Sequence, residues 1–419
     1  MTPEFESLLR RRWRLLALFC LINFTTGALY VWSVFAGPLA AHLSLASGEA
    51  VTPASLGPVF GLATGITPFL MLGGGFFNDR IGPKGGILSG GVSIAAGYLL
   101  ASTAESSGLL YLAYGVLVGA GTGFVNGCTI SSAVKFFPDR RGLAGGTVTA
   151  FLGIGAASLP FAAAGLIGAL GVTTSLAVFG IASGVVIVGA ALLTERCPEG
   201  FSGAFERAGA ARRTAARSFT PLEMARTPLF WPLFALFTCS ATMGLMLLSN
   251  ISSIAQTQIG AGPALAALSV SVISAANTCG RFLSGALSDR FGRIQTLIAT
   301  LVLAMGGFGL LMISGRGDAA LFLTGIVGIG VCFGAFIGIY PSLVADEYGP
   351  RHNSVNFSLM MFGYSVGGLV GPLLIGWASR GAAGDFSRAY LVSIFAALAG
   401  VACAAAALWI KRRGRMSQA

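Results

Sequence analysis

Gly75-Phe-Phe-Asn-Asp79-Arg80-Ile-Gly82-Pro-Lys84 and Gly285-Ala-Leu-Ser-Asp289-Arg290-Phe-Gly292-Arg293 are two copies of one pattern, Gly-x-x-x-Asp-Arg-x-Gly, set 210 residues apart. An apolar run leads into each copy and another follows at once. The first glycine lets two helices touch, Asp and Arg sit at a helix end where they can pair and cap, and the later glycine permits a tight turn. Such a charged clip suits a latch between helices in a protein that changes conformation. Two further landmarks repeat at nearly the same offset: Gly119-Ala-Gly-Thr-Gly-Phe124 with Gly328-Ile-Gly-Val-Cys-Phe333 at 209, and Gly155 and Pro160 with Gly367 and Pro372 at 212. The chain reads as two parallel halves made by duplication, a construction common in transporters.

The residues around the repeat place it in a membrane. Of 419 residues, 55% are hydrophobic and only 10% charged, against about 25% charged in soluble domains. A spanning helix needs about 20 mostly apolar residues. Twelve runs qualify: 13–36, 53–77, 85–103, 108–136, 143–169, 172–194, 227–256, 263–287, 294–314, 319–346, 352–379 and 387–410. The expected fold is therefore an all-α polytopic bundle of twelve helices in two pseudo-symmetric halves. Residues 1–194 form the first half, 195–226 a polar linker, 227–411 the second half and 412–419 a tail.

Charge supplies the orientation. Of the 26 Lys and Arg, 22 fall in the N-terminal segment, the linker, the tail and alternate loops, and three fall on the other side. Loops rich in Lys and Arg stay in the cytoplasm, so both termini and the linker are expected there. The net charge of +11 is thus an orientation signal with affinity for anionic lipid, and nucleic acid is not an expected partner. The seven cysteines fit no disulfide or zinc spacing and there are two histidines, so neither a metal nor a cofactor is expected. The basic start is followed by an apolar run too long for a signal peptide, which makes it an uncleaved first span.

One charge is left over. Arg281 is the ionisable residue well inside a span, and every Asp and Glu falls in a loop, a tail or a helix end. Counting back from Asp289 puts it roughly 12 Å inside a half-thickness of about 15 Å, where arginine costs at least about 2.5 kcal/mol. Ser274, Asn277, Arg281, Ser284 and Ser288 recur at steps of three and four and form one stripe. The stripe can face a water-filled cavity or a neighbouring helix, and an arginine bonded only to backbone carbonyls is the competing, purely structural reading. With no carboxylate at that depth, an incoming anion is the natural counter-ion, and guanidinium matches a carboxylate bidentately.

These residues carry a resemblance. Twelve spans in two parallel halves, with the signature loop after spans 2 and 8, resemble the major facilitator superfamily over essentially the whole chain. The Phe136-Phe-Pro138-Asp-Arg-Arg141-Gly-Leu-Ala-Gly-Gly146 start of span 5 and Asn277-Thr-Cys-Gly-Arg281 in span 8 resemble the monocarboxylate transporters and the bacterial oxalate/formate exchangers. That resemblance implies a bacterial plasma (inner) membrane carrier, expected to act as a monomer rather than as an enzyme. It makes Arg281 the carboxylate anchor and puts Asn277 where eukaryotic monocarboxylate carriers have an aspartate. The oxalate exchanger's second cation, a lysine in helix 11, aligns with Tyr364, which favours a small monocarboxylate such as lactate or pyruvate over a dianion.

The rest of the expected pocket comes from Leu29, Tyr30 and Trp32 in span 1, Asn126 in span 4, Leu152 in span 5, Phe333, Phe336, Ile337 and Tyr340 in span 10, and Tyr364 in span 11. Such aromatic stripes also serve packing and lipid contact. The family's helices 1, 4, 10 and 11 single out Leu29, Tyr30, Asn126, Phe336 and Tyr364. Asp79, Arg80, Asp289 and Arg290 are the expected conformational latches. Alternating access by two rocking halves follows from the repeat. Coupling stays open between a proton carried with the substrate, protons on helix-end acids (Asp79, Asp289, Asp346, Glu347), and anion exchange. The resemblance favours proton symport. A proton-driven drug exporter would want a membrane carboxylate and often Gly-Pro in span 5, where this chain has Leu159-Pro160.

Overall fold

Gly82 and Gly292 turn the chain at φ 94° and 105°, a region that glycine enters at no steric cost. Each closes a long helix, Gly57–Ile81 or Pro263–Phe291, and opens the next within one residue, Pro83–Ser102 or Arg293–Ile313. The computed structural model describes residues 3–416 apart from 49, 54, 199, 202–204, 206–216, 249 and 379–385. Arg207, Arg212 and Arg213 of the linker and Arg380 lie outside those residues.

Twelve spans follow in order. Span 1 is a helix, Pro3–Thr26, a 3₁₀ turn, Gly27–Val31, and a second helix, Trp32–Ser47. Spans 2 and 3 are Gly57–Ile81 and Pro83–Ser102. Span 4 runs from Ser107 through a π-helical stretch, Tyr111–Val118, to Phe136. Spans 5 and 6 are Arg141–Leu170 and Val172–Leu192. Span 7 is split into Phe230–Leu248 and Ile251–Gln258. Spans 8 to 12 are Pro263–Phe291, Arg293–Ile313, Ala319–Tyr348, Asn353–Ala378 and Ser387–Met416. The main departure from expectation is span 1, which begins ten residues early. Its basic head stays helical because its charges are met: Arg12 pairs with Asp139 at 2.6 Å and Arg11 with Glu195 at 3.2 Å.

Packing is dense within each half. Span 2 lies on span 4, span 3 on span 6 and span 1 on span 5; the second half repeats this with spans 8 on 10, 9 on 12 and 7 on 11. The halves meet where span 5 crosses spans 8 and 10 and span 2 meets span 11. The first glycine of each signature makes this possible. A side chain at Gly285 would overlap Gly142 of span 5, and one at Gly75 would overlap Ser354 of span 11.

The seam between the halves is closed at one end. Among the described residues, the side-chain hydrogen bonds joining the halves lie between the level of Arg281 and the basic end of the bundle. Span 5 shows the gradient. Side chains added at Gly142, Gly146 and Gly153 would strike span 8, whereas at Gly165 and Gly168 they would meet nothing within 4 Å. The bundle is shut at its basic end and opens toward the opposite one.

Both signature acids lie in the closed seam, with partners that sequence adjacency does not reveal. Asp79 pairs with Lys135 of span 4 at 2.6 Å and accepts from the Val355 backbone N–H at the start of span 11. Asp289 pairs with Arg293 at 2.6 Å and accepts from the Gly142 and Leu143 N–H groups at the start of span 5. Each acid therefore caps a helix of the other half, where backbone N–H groups lack intrahelical partners. The expected Asp–Arg pairing within each loop is replaced. Arg80 instead lies over the ring of Phe76, four residues back on the same helix face, at 4.2 Å, and Arg290 lies over that of its neighbour Phe291 at 5.7 Å.

Candidate functional site

Arg281 sits ten residues inside the basic end of span 8, roughly 15 Å along its axis. Glycines clamp the backbone there. A side chain at Gly146 of span 5 or Gly338 of span 10 would overlap the Arg281 carbonyl, and one at Gly334 would overlap that of Asn277. With the backbone held between two helices, the guanidinium is aimed by packing rather than by a salt bridge.

Its protein partners are neutral. Nε donates to Asn277 Oδ1 at 3.2 Å, and Nη1 donates to the Thr149 carbonyl at 2.8 Å, across the seam in span 5. The structural reading therefore holds in part, since one backbone carbonyl does bind the guanidinium. Nη2 has no hydrogen-bond partner among the described residues, yet it is not among the sealed, unsatisfied buried atoms. One edge of the fork stays available.

Two tyrosines lie near the guanidinium, one from each half. Tyr30 and Tyr364 lie close enough to the guanidinium to interact with it electrostatically. Tyr30 keeps 37% of its surface exposed although it is deep in the bundle, and its ring meets Phe60 edge-on at 6.0 Å. The local cause is the 3₁₀ turn of span 1. Tyr98 and Tyr114 donate to the carbonyls of Ala28 and Leu29 at 2.7 and 2.8 Å, so carbonyls turned out of the α-helical ladder keep partners. Tyr364 lies parallel to Phe333 with centroids 6.1 Å apart.

The remaining expected residues are placed as follows. Asn277 touches Arg281. Leu29 contributes its carbonyl to Tyr114 and buries its side chain in the core. Asn126 is held by Thr26 at 3.4 Å. Phe336 is fully buried against Tyr340, whose hydroxyl donates to the Leu233 carbonyl at 2.6 Å. The expected wall along span 10 therefore splits: Phe333 turns to Tyr364, while Phe336 and Tyr340 pack toward span 7. A buried phenol needs an acceptor, and Leu233 provides it. Of the polar stripe, Ser288 serves the seam by accepting from Arg293 at 2.7 Å.

Sequence reasoning missed Thr149, because a backbone carbonyl carries no residue-type signal. It also missed Tyr98 and Tyr114. Tyrosines within otherwise apolar spans were the available clue, since each hydroxyl must find a partner.

A bundle of two six-helix halves, closed at one end below a mid-depth arginine flanked by a tyrosine from each half, is the architecture of a membrane transporter. The profile of the Major Facilitator Superfamily matches residues 18–372, and the chain belongs to that family. It is 27% identical over 88% of both chains to YhjX, an uncharacterized MFS-type transporter of Escherichia coli. It is 29% identical to the oxalate:formate antiporter of Oxalobacter formigenes, over 85% of this chain and 82% of that one. Against mouse monocarboxylate transporter 11 it is 29% identical, over 76% and 71% of the two chains. Among solved structures it resembles the E. coli fucose:proton symporter FucP (TM-score 0.67, 16% identity, 94% and 98% coverage). The proton:xylose symporter XylE also matches, with TM-score 0.71, 15% identity and 94% of each chain.

Proposed function

We propose that the protein moves a small monocarboxylate of the lactate or pyruvate type by alternating access, with Arg281 as the carboxylate anchor. The observation that carries this reading is a deep arginine whose described partners are neutral, with Nη2 not taken by any described residue and a tyrosine of each half near the guanidinium. One positive charge suits one carboxylate, and Tyr30 and Tyr364 are donors positioned to reach the same anion. Asn277 holds Nε and so fixes the plane of the fork. Bound substrate would compete with the Thr149 carbonyl for Nη1, which links anion binding to the seam between the halves. The basic end is assigned to the cytoplasm by the excess of Lys and Arg there, so the present conformation faces outward.

For coupling, we favour proton symport, with protons carried by the substrate acid or by the seam acids. Anion exchange is the second reading, favoured by Asn277 standing beside Arg281 in place of an acid and by the antiporter among the relatives. Proteoliposomes loaded with and without internal anion, with and without a pH gradient, separate the two. Uptake of labelled lactate driven by the gradient alone supports symport; uptake that ignores the gradient and requires internal lactate, formate or oxalate supports exchange. Failure of every monocarboxylate to move in counterflow would remove the substrate assignment.

A further inference from the structure

The two ends of the closed seam are not electrically equivalent. On the side of Asp289, span 10 contributes an acid, Asp346, which pairs with Arg141 at 2.7 Å and with Arg293 at 2.9 Å. Two carboxylates there face two arginines. On the side of Asp79, the counterpart helix, span 4, contributes a cation, Lys135, and among the described residues no second acid takes the place of Asp346. A cavity of about 730 Å³ stands there instead; its described lining includes Arg80, Lys135, Arg351 and His352, with Asp79 as the carboxylate, and also Arg196, which has a partner of its own. Asp79 is occupied by Lys135 and the Val355 N–H, so among the described residues Arg80 and Arg351 give the cavity a surplus of positive charge in a volume typical of ligand sites.

We infer that this cavity is a second anion site, separate from Arg281, and that it takes a phosphate group. Three features select that chemistry. Arginine recognises phosphate oxygens through paired N–H donors. The donors come from separate segments, spans 2 and 4 and the turn after span 10. The volume exceeds what one monocarboxylate would fill. The site also spans the seam: Arg80 and Lys135 belong to the first half, whereas Arg351 and His352 lie on the turn between spans 10 and 11 of the second. A phosphate held there does for the Asp79 side what Asp346 does for the Asp289 side. It neutralises the facing cations and ties the basic ends together, stabilising the closed conformation. Phe76, which also lines the cavity, is about half exposed on the outer surface of span 2. The phosphate group can therefore belong either to a soluble phosphomonoester or to an anionic lipid headgroup.

The test uses the full-length protein in nanodiscs of phosphatidylcholine alone or with phosphatidylglycerol, titrated with inorganic phosphate and with glycerol 3-phosphate. Thermal unfolding and spin-label distances across the basic end are read together. A rise in Tm and a shortened distance on adding either soluble phosphate identify a soluble ligand. The same changes produced by phosphatidylglycerol and insensitive to soluble phosphate identify the headgroup. Arg351→Gln and Arg80→Gln should each weaken the response at least tenfold in half-saturating concentration, and Arg351→Glu, which supplies an internal anion, should abolish it. Arg412→Gln in the tail, as a control for general charge, should leave it intact. Folding of each variant is checked by its melting transition without ligand. The proposal is overturned if neither phosphate source moves either readout, or if Arg412→Gln weakens the response as much as Arg351→Gln does. Because no readout involves carboxylate transport, a negative result here leaves the role of Arg281 untouched, and failure of transport leaves this site untouched.

Discussion

The Asp79 loop and the Asp289 loop share a backbone and differ in the charges gathered around them. In both, a carboxylate reaches across the seam to cap a helix of the opposite half, and a glycine with positive φ turns the chain behind it. Around Asp289 the charges close into a compact set of two acids and two arginines. Around Asp79 the described residues give its pair with Lys135 beside a cavity lined by Arg80 and Arg351. The two copies thus share the geometry of the loop and differ in the charges that the described residues set around it. The same divergence holds deeper in the bundle. At the repeat offset of 210, Arg281 corresponds to Met71 and Asn277 to Thr67, so the mid-depth cation belongs to one half only.

Making the halves alike at that depth should have the largest effect. Arg281→Met removes the proposed anchor and copies the first half; monocarboxylate uptake in proteoliposomes should fall roughly 100-fold or more, the scale of losing a buried charge partner. Arg281→Lys should fail nearly as badly, because an ammonium lacks the fork. Uptake that survives in either variant would break the functional asymmetry. Next comes the compact latch. Asp346→Asn leaves two arginines facing each other with one acid between them, a change of about 3–5 kcal/mol for a buried pair broken on one side. Spin-label distances across the basic end should lengthen, and the melting transition should drop.

The looser latch should respond less. Asp79→Asn loses the Lys135 pair and a helix cap, but Lys135 borders a cavity that water can enter, and the expected cost is roughly 1–3 kcal/mol. An effect as large as that of Asp346→Asn would mean that the two latches are equal after all. The smallest change is expected for Arg80→Gln without added phosphate, under about 1 kcal/mol, since it forfeits only an exposed contact with Phe76.

Much of this architecture was legible in the chain because hydropathy and charge are additive along it. The spans, the duplicated loops and the odd charge at Arg281 all came from residue type and spacing. What lay beyond reach depended on three-dimensional partners. Asp79 and Arg80 are adjacent and invite pairing, yet their directions on the helix send Asp79 to Lys135 and Arg80 to Phe76. Phe336 and Tyr340 share a periodic stripe with Phe333, but only packing reveals that the Tyr340 hydroxyl is taken by Leu233. The Thr149 carbonyl that holds Arg281 would be present whatever side chain stood at that position.

The 3₁₀ turn at Gly27–Val31 also sets a length. Five residues rise about 2.0 Å each in a 3₁₀ helix and about 1.5 Å each in an α-helix, so rewinding the turn would shorten span 1 by roughly 2.5 Å. The two phenols that hold its carbonyls, Tyr98 and Tyr114, would be the catch on any such rewinding, with Tyr30 inside the turn. Release of that catch would draw one wall of the site along the membrane normal by about the width of an atom while the glycine-clamped Arg281 stays in place.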